Sequence, residues 1–235
     1  MESSPSLFTK HLSVENFMRV LSNPRFAICL KNSVIVVAIA VVLSTAVSFL
    51  ACSALVLYRL PHRRILLFVI LVIQMIPASV ILIPQFIIFN RLGLLDSYAG
   101  LSIAYVALTL PFSIWNLKGF FGLLPKVLIE SARVEGASEW QILTQIVFPL
   151  VSPGIISTAV VTFINAWNDY LIAYTFMKSQ ANYTLPVWLA SFTTPTGVDF
   201  GAQMAASVLF ACPVVIFFTT VRIALPQVSF AGVEK

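Results

Sequence analysis

The sequence predicts an all-α, polytopic membrane protein, and three observations carry that prediction. Of 235 residues, 59% are hydrophobic and 10% charged, against a usual charged share of about a quarter. Five runs hold no charge at all: Asn32–Leu57, Ile65–Asn90, Ser97–Leu117, Trp140–Asn168 and Phe200–Val221. Each exceeds the roughly 20 residues needed to cross a hydrocarbon core of about 30 Å at 1.5 Å per residue. The runs also lack the apolar/polar alternation of barrel strands. Helices are therefore the spanning element, because lipid offers no partner to an open backbone.

Before the first run, residues 1–31 are polar and form an N-terminal segment with no apolar signal-peptide core. Ser13 is placed to cap a short helix over Val14–Leu21, ended by "SNP" at 22–24. After the first span, "YRLPHRR" at 58–64 holds three arginines in seven residues, a marker of the cytoplasmic side. The second span contains Pro77 and Pro84. Each removes a ladder hydrogen bond and crowds the preceding turn, so a bend is expected. "NRLGLLDSYAG" at 90–100 reads as a short outer turn, and the third span follows with Pro111 inside it.

A polar insert interrupts the pattern next. "IESARVEGASEWQILTQIVFPL" at 129–150, with Lys126 just before it, carries five charges: Lys126, Glu130, Arg133, Glu135 and Glu139. At the bilayer centre each would cost about 2.5–3.5 kcal/mol, so the insert lies outside the hydrocarbon. Its spacing is nevertheless ordered. Lys126, Glu130 and Arg133 fall on one helical stripe, beside an apolar strip of Val127, Leu128 and Ala132. Gly136 suits a left-handed helix end. Ser138 and Gln141 have capping-box spacing for a second helix, with Ile142, Leu143, Ile146, Val147 and Leu150 along one side. Pro149 and Pro153 are expected to end that helix and start the fourth span.

The fourth span ends in "AWNDY", 166–170. Asp169 lies about 24 Å beyond Pro153 at 1.5 Å per residue, near the far interface. An acid at membrane depth marks a solute-pathway candidate, and an anchored interfacial helix end is the plainer alternative. "TLPVWLASFTTPTGVDF" at 184–200 is too rich in Thr and Pro to span, and reads as an outer loop or re-entrant segment. The last span closes near Arg222.

Other chemistry is excluded on similar grounds. The net charge of +5 comes from basic residues scattered between spans rather than gathered on one surface, so no nucleic-acid partner is expected. Cys29, Cys52 and Cys212 are solitary, and His11 and His62 lie apart, so no metal or redox site is proposed. No catalytic residue is proposed either. The chain contains no Gly-x-x-x-x-Gly-Lys-Ser/Thr nucleotide loop. A secondary transporter would call for charges in mid-span and an internal repeat, and neither is evident. A non-transporting assembly subunit stays open as the blander alternative.

At the insert the sequence resembles the permeases of ABC importers. Their cytoplasmic signature is Glu-Ala-Ala, three residues, Gly, nine residues, Ile-x-Leu-Pro. Here it stands as Glu130-Ser131-Ala132, Gly136 and Ile146-Val147-Phe148-Pro149, with spacing intact, Ser131 in place of an alanine and Phe148 in place of a leucine. "KNSVIVV" at 31–37, "IPASVILIPQF" at 76–86, "LPFSIWNLKGFF" at 110–121, "AWNDYL" at 166–171 and "TLPVWL" at 184–189 are similar to carbohydrate-type permeases, most of all the second, maltose-importer-like subunit.

The resemblance implies an ABC importer transmembrane domain at 32–235 with coupling helices at about 126–149 that dock on a separate ATPase. It implies docking roles for Glu130, Ser131, Ala132, Arg133, Gly136 and Ala137. Trp167, Asn168 and Asp169 stand as solute-pathway candidates. The implied partners are an ATPase dimer carrying ATP and Mg, a companion permease, an extracytoplasmic solute-binding protein and membrane lipid. The implied location is the inner (cytoplasmic) membrane of a bacterium or archaeon, and the implied solute is a sugar or polyol, with non-sugar solutes left open. Family members usually have six spans, with one ahead of the segment like "LSVENFMRVLSNPRF". Five spans with a cytoplasmic insert place residues 1–31 on the extracytoplasmic side, and leave open whether a span has been lost or the subunit is naturally short.

Overall fold

The computed structural model describes residues 14–58, 60–194 and 197–224. Four of its helices are long and apolar enough to cross a membrane, and a bent pair supplies a fifth crossing if counted as one span. The first, α1 (Glu15–Leu21), is a short helix whose N-cap is Val14; Ser13, expected in that role, lies outside the described residues. It leads into α2 (Pro24–Leu57), which begins well before the expected Asn32. The early start has a local cause. Asn23 accepts a hydrogen bond from the Arg25 N–H, and Pro24 occupies the first turn, where its missing N–H costs nothing. "SNP" therefore ends one helix and opens the next.

The second span is the expected bend carried further. Helices α3 (Arg63–Gln74) and α4 (Ala78–Arg91) meet at 97°. Pro77 sits at the break in extended geometry and has no N–H to continue the ladder, whereas Pro84 is absorbed inside α4. A tight turn follows, with Gly93 and Asp96 both at positive φ. The Asp96 carboxylate accepts the backbone N–H groups of Lys178 and Ser179, tying this turn to a distant loop. Ser97 caps α5 (Tyr98–Phe121) through the Gly100 N–H.

Beyond α5 come the insert helix α6 (Lys126–Val134), the short α7 (Glu139–Gln141), a π-helical stretch Ile142–Val147 and α8 (Phe148–Asn168). Here the expected break is corrected: Glu139–Asn168 run as one helix of 30 residues. Proline breaks an α-helix by meeting the carbonyl four residues back. The π-helical stretch bonds five residues back, shifting the carbonyls ahead of Pro149 out of that register, and Pro153 sits one turn later inside α8. On the far side, α9 (Leu171–Phe176), a 3₁₀ turn Gln180–Asn182, α10 (Leu185–Ala190) and a two-rung antiparallel ladder pairing Thr193 with Val198 and Thr194 with Gly197 precede α11 (Phe200–Ala224).

The centre of the molecule is the three-way contact of α2, α5 and α8. Lipid tails are as apolar as leucine, so helices in a bilayer associate through close packing and shared hydrogen bonds. That is what lines this seam: the Ser44 and Ser113 hydroxyls stand 3.2 Å apart, Thr109 donates to Ser44 at 3.1 Å, and Ser113 meets Thr162 at 3.3 Å. One turn toward the insert, Asn116 donates to Thr158 at 2.8 Å. At Gly154 the Phe120 side chain occupies the space that a Cβ would take. Helix α1 packs on α11, where Arg19 pairs with Asp199, and α10 packs on α2 and α11.

Candidate functional site

The insert lies at one end of the molecule, beside the last turn of α2. Helix α6 turns Ile129 and Ala132 inward, 7% and 8% exposed, while Val127 is 70% and Leu128 47% exposed. Of the apolar strip expected from spacing, only Ala132 is buried. The i, i+3 pair Ile129/Ala132 packs on the cluster of Phe121, Ile142, Val147 and Val151 instead. In the second half of the insert Ile142 and Val147 are fully buried and Leu150 is exposed, because the π-helical stretch changes the angular spacing of the side chains.

The turn between the two halves follows its chemistry. Gly136 takes φ +84°, and the Ala137 N–H bonds to the Ala132 carbonyl at 2.9 Å. Ser138 and Gln141 form both bonds of the capping box, side chain to backbone in each direction. Across the turn, Arg133 grips Glu139 with two hydrogen bonds, Nε to Oε1 at 2.9 Å and a terminal nitrogen to Oε2 at 3.1 Å. The Tyr58 hydroxyl, just past α2, donates to the same Oε2 at 2.8 Å. The Arg133 bonds first, and the Tyr58 bond second, hold the Glu139 carboxyl below its ordinary range. The bond to Glu139 pushes the Tyr58 phenol up.

Glu139 and Tyr58 are the two residues that spacing missed. Arg133 and Glu139 are six apart, no helical interval, and only the glycine turn brings them face to face. Glu130 and Ser131 are exposed on α6. Outward from the insert stand Leu123, Val134 and Trp140, 81%, 89% and 68% exposed. The arrangement is a braced helical hairpin, clamped to α2 by one phenol and presenting an apolar and charged outer surface.

At the opposite end, "WND" divides into three situations. Trp167 is buried, its indole N–H donating to the Phe210 carbonyl at 3.2 Å and its ring stacked on Phe163 and Phe210. Asp169 caps the start of α9 by accepting the Ala173 N–H at 3.0 Å, and the Tyr105 hydroxyl donates to it at 3.1 Å. Asn168 alone is exposed, its amide bonded back to the Ile164 carbonyl. Near the same end, the Asn32 amide donates to the carbonyls of Ala181 and Tyr183 and accepts from the Tyr98 hydroxyl, so a polar residue in α2 anchors the loop before α10.

Residues 49–229 match the family described as the inner membrane component of binding-protein-dependent transport systems. The chain belongs to that family. It is similar, at 35% identity over all of its length and 85% of the relative's, to the diacetylchitobiose uptake permease DasC of Streptomyces coelicolor. It is 36% identical, over 87% of its length and 74% of the relative's, to the trehalose/maltose permease MalG of Thermococcus litoralis. Its fold is like that of a bacterial ABC transporter involved in the import of the acidic polysaccharide alginate, with TM-score 0.80 and 24% identity over 92% of this chain and 80% of the other. As a member of this family the chain is an inner membrane transport component, and its apolar helices are its spans.

Proposed function

We propose that the chain is the permease half of an ATP-driven importer for a sugar or related polyol, coupled to a separate ATPase through Glu130–Pro149. The observation that carries this reading is the braced hairpin: a capping box, a two-bonded ion pair and the Tyr58 clamp make a surface segment stiff enough to act as a lever. Glu130, Ser131, Ala132, Arg133, Gly136 and Ala137 form or support the docking face, and the exposed Val134 and Trp140 give a partner apolar surface to cover. ATP and Mg belong to the partner ATPases. Their closure would push the hairpin and, through Tyr58, the inner end of α2, rocking the spans between two states. Residues 1–31 would face the extracytoplasmic side, where a solute-binding protein delivers its cargo, with the companion permease completing the path. The permeases named for diacetylchitobiose and for trehalose and maltose support the sugar assignment. Of the pathway candidates, exposed Asn168 is the best situated to meet solute; Trp167 and Asp169 would position it.

The test is co-expression with the candidate ATPase and companion permease, with and without Glu130→Arg. ATPase retained on the purified parent and lost from the variant is the expected result. Equal retention would remove Glu130 from the docking face, and retention by neither would overturn the coupling.

A further inference from the structure

Between the inner end of α2 and the insert lies a cavity of about 980 Å³, at the upper end of the range for small-molecule sites. Its walls are of two kinds. Leu57 at the end of α2, Leu60 in the turn that follows and Phe121 at the end of α5 belong to its apolar lining. Its charged lining is Arg63 at the start of α3, Lys126 at the start of α6, Glu130 one turn further on, and the Arg133–Glu139 pair. Arg133 and Glu139 satisfy each other. That leaves two cations against the single carboxylate of Glu130, and among the described residues neither Arg63 nor Lys126 makes an ion pair.

The position matters as much as the charge. The cavity sits where the uncharged runs of α2 and α5 stop and the charged insert begins, so it straddles the boundary between hydrocarbon and headgroups in one leaflet. We propose that it binds one phospholipid, the phosphate on Arg63 and Lys126 and an acyl chain along the partly buried Leu57 and Leu60. Basic pockets at this depth attract phosphate headgroups, and the apolar wall gives the chain a place that a soluble anion would leave wet. Glu130 disfavours a second negative charge on the ligand and accepts a headgroup hydroxyl or amine. The lipid thereby wedges between α2 and the hairpin that Tyr58 links to it.

The test is native mass spectrometry of the full chain in detergent, titrated with phosphatidylglycerol. With about 1 kcal/mol for each basic residue near the headgroups, Arg63→Gln with Lys126→Gln should weaken binding roughly 30-fold. Arg63→Lys with Lys126→Arg should keep it. Arg64→Gln removes a neighbouring charge that does not line the cavity and should leave binding unchanged. Both cations are exposed at helix starts, so the double variant keeps its fold. Excess inorganic phosphate should not displace the lipid. Equal lipid binding by the double variant and the parent, or displacement by phosphate alone, would overturn the proposal.

Discussion

Gly154→Ala probes the packing of α5 on α8 where Phe120 leaves no room for a Cβ. A Cβ built on residue 154 stands 2.4 Å from the Cγ of Phe120 and 2.8 Å from its Cβ. A ring tip could swing aside, but the Phe120 Cβ is fixed one bond from the backbone, so relief requires the two helices to part or the side chain to leave its rotamer. Overpacking of this kind costs about 1–3 kcal/mol. In a chain of this size each kcal/mol moves the melting point by roughly 2–4 °C, so Gly154→Ala should melt about 2–12 °C below the parent. The assay is thermal unfolding of the detergent-solubilised chain, followed by tryptophan fluorescence. Phe120→Leu removes the ring the new methyl meets, so the double variant should lose less than the sum of the single losses. If Gly154→Ala melts with the parent, or the losses add, this contact does not set the α5–α8 spacing.

Two further outcomes follow from the hairpin. Gly136→Ala adds a methyl with no atom within 4 Å, so only the backbone at φ +84° opposes it. About 1–2 kcal/mol of left-handed strain should speed amide exchange in the α6–α7 turn roughly 5- to 30-fold, and unchanged exchange would mean the turn takes another shape. Glu139→Gln weakens the grip of Arg133, worth about 0.2–1 kcal/mol for so exposed a pair. Because the folded carboxyl titrates below its ordinary value, the parent's advantage is present above about pH 4.3. It is lost as pH falls through the lower folded value. Melting of both chains across that window should show the gap closing on the acid side; a pH-independent gap would assign the effect to packing.

Much of this architecture was legible because the bilayer makes length and charge decisive. Four of the uncharged runs are long helices, and Gly136 with the Ser138–Gln141 box reads directly as a turn and a new start. What was not legible depends on partners distant in the chain. Nothing local says that Pro77 would set two helices at 97° while Pro84 would be absorbed, since the difference lies in which helix each proline starts or interrupts. The π-helical stretch before Pro149 changes side-chain spacing in a way that a 3.6-residue count misses, so Leu150, placed by that count on one side with Ile142 and Val147, stands exposed while they are buried. For α6, the amphipathic stripe gave the helix but not its orientation; burial of Ile129 rather than Val127 is decided by the pocket that Phe121 and Ile142 offer. The Tyr58–Glu139 bond joins residues 81 positions apart, beyond the reach of any local pattern.

The length of α2 has a mechanical consequence. Its 34 residues make a rod of about 51 Å at 1.5 Å per residue, against a hydrocarbon thickness of roughly 30 Å. Tilt alone would have to reach about 54° to hide it, beyond the 0–40° that membrane helices adopt. So α2 reaches beyond the hydrocarbon into the headgroup layers: one extremity beside α1 and the loop held by Asn32, the other at Tyr58 against the hairpin. The hydroxyl seam at Ser44 holds α2 near its middle, so both tips belong to one helix packed at its centre. The two faces of the membrane are thus joined by a single unbroken helix, without a relay of loops between them.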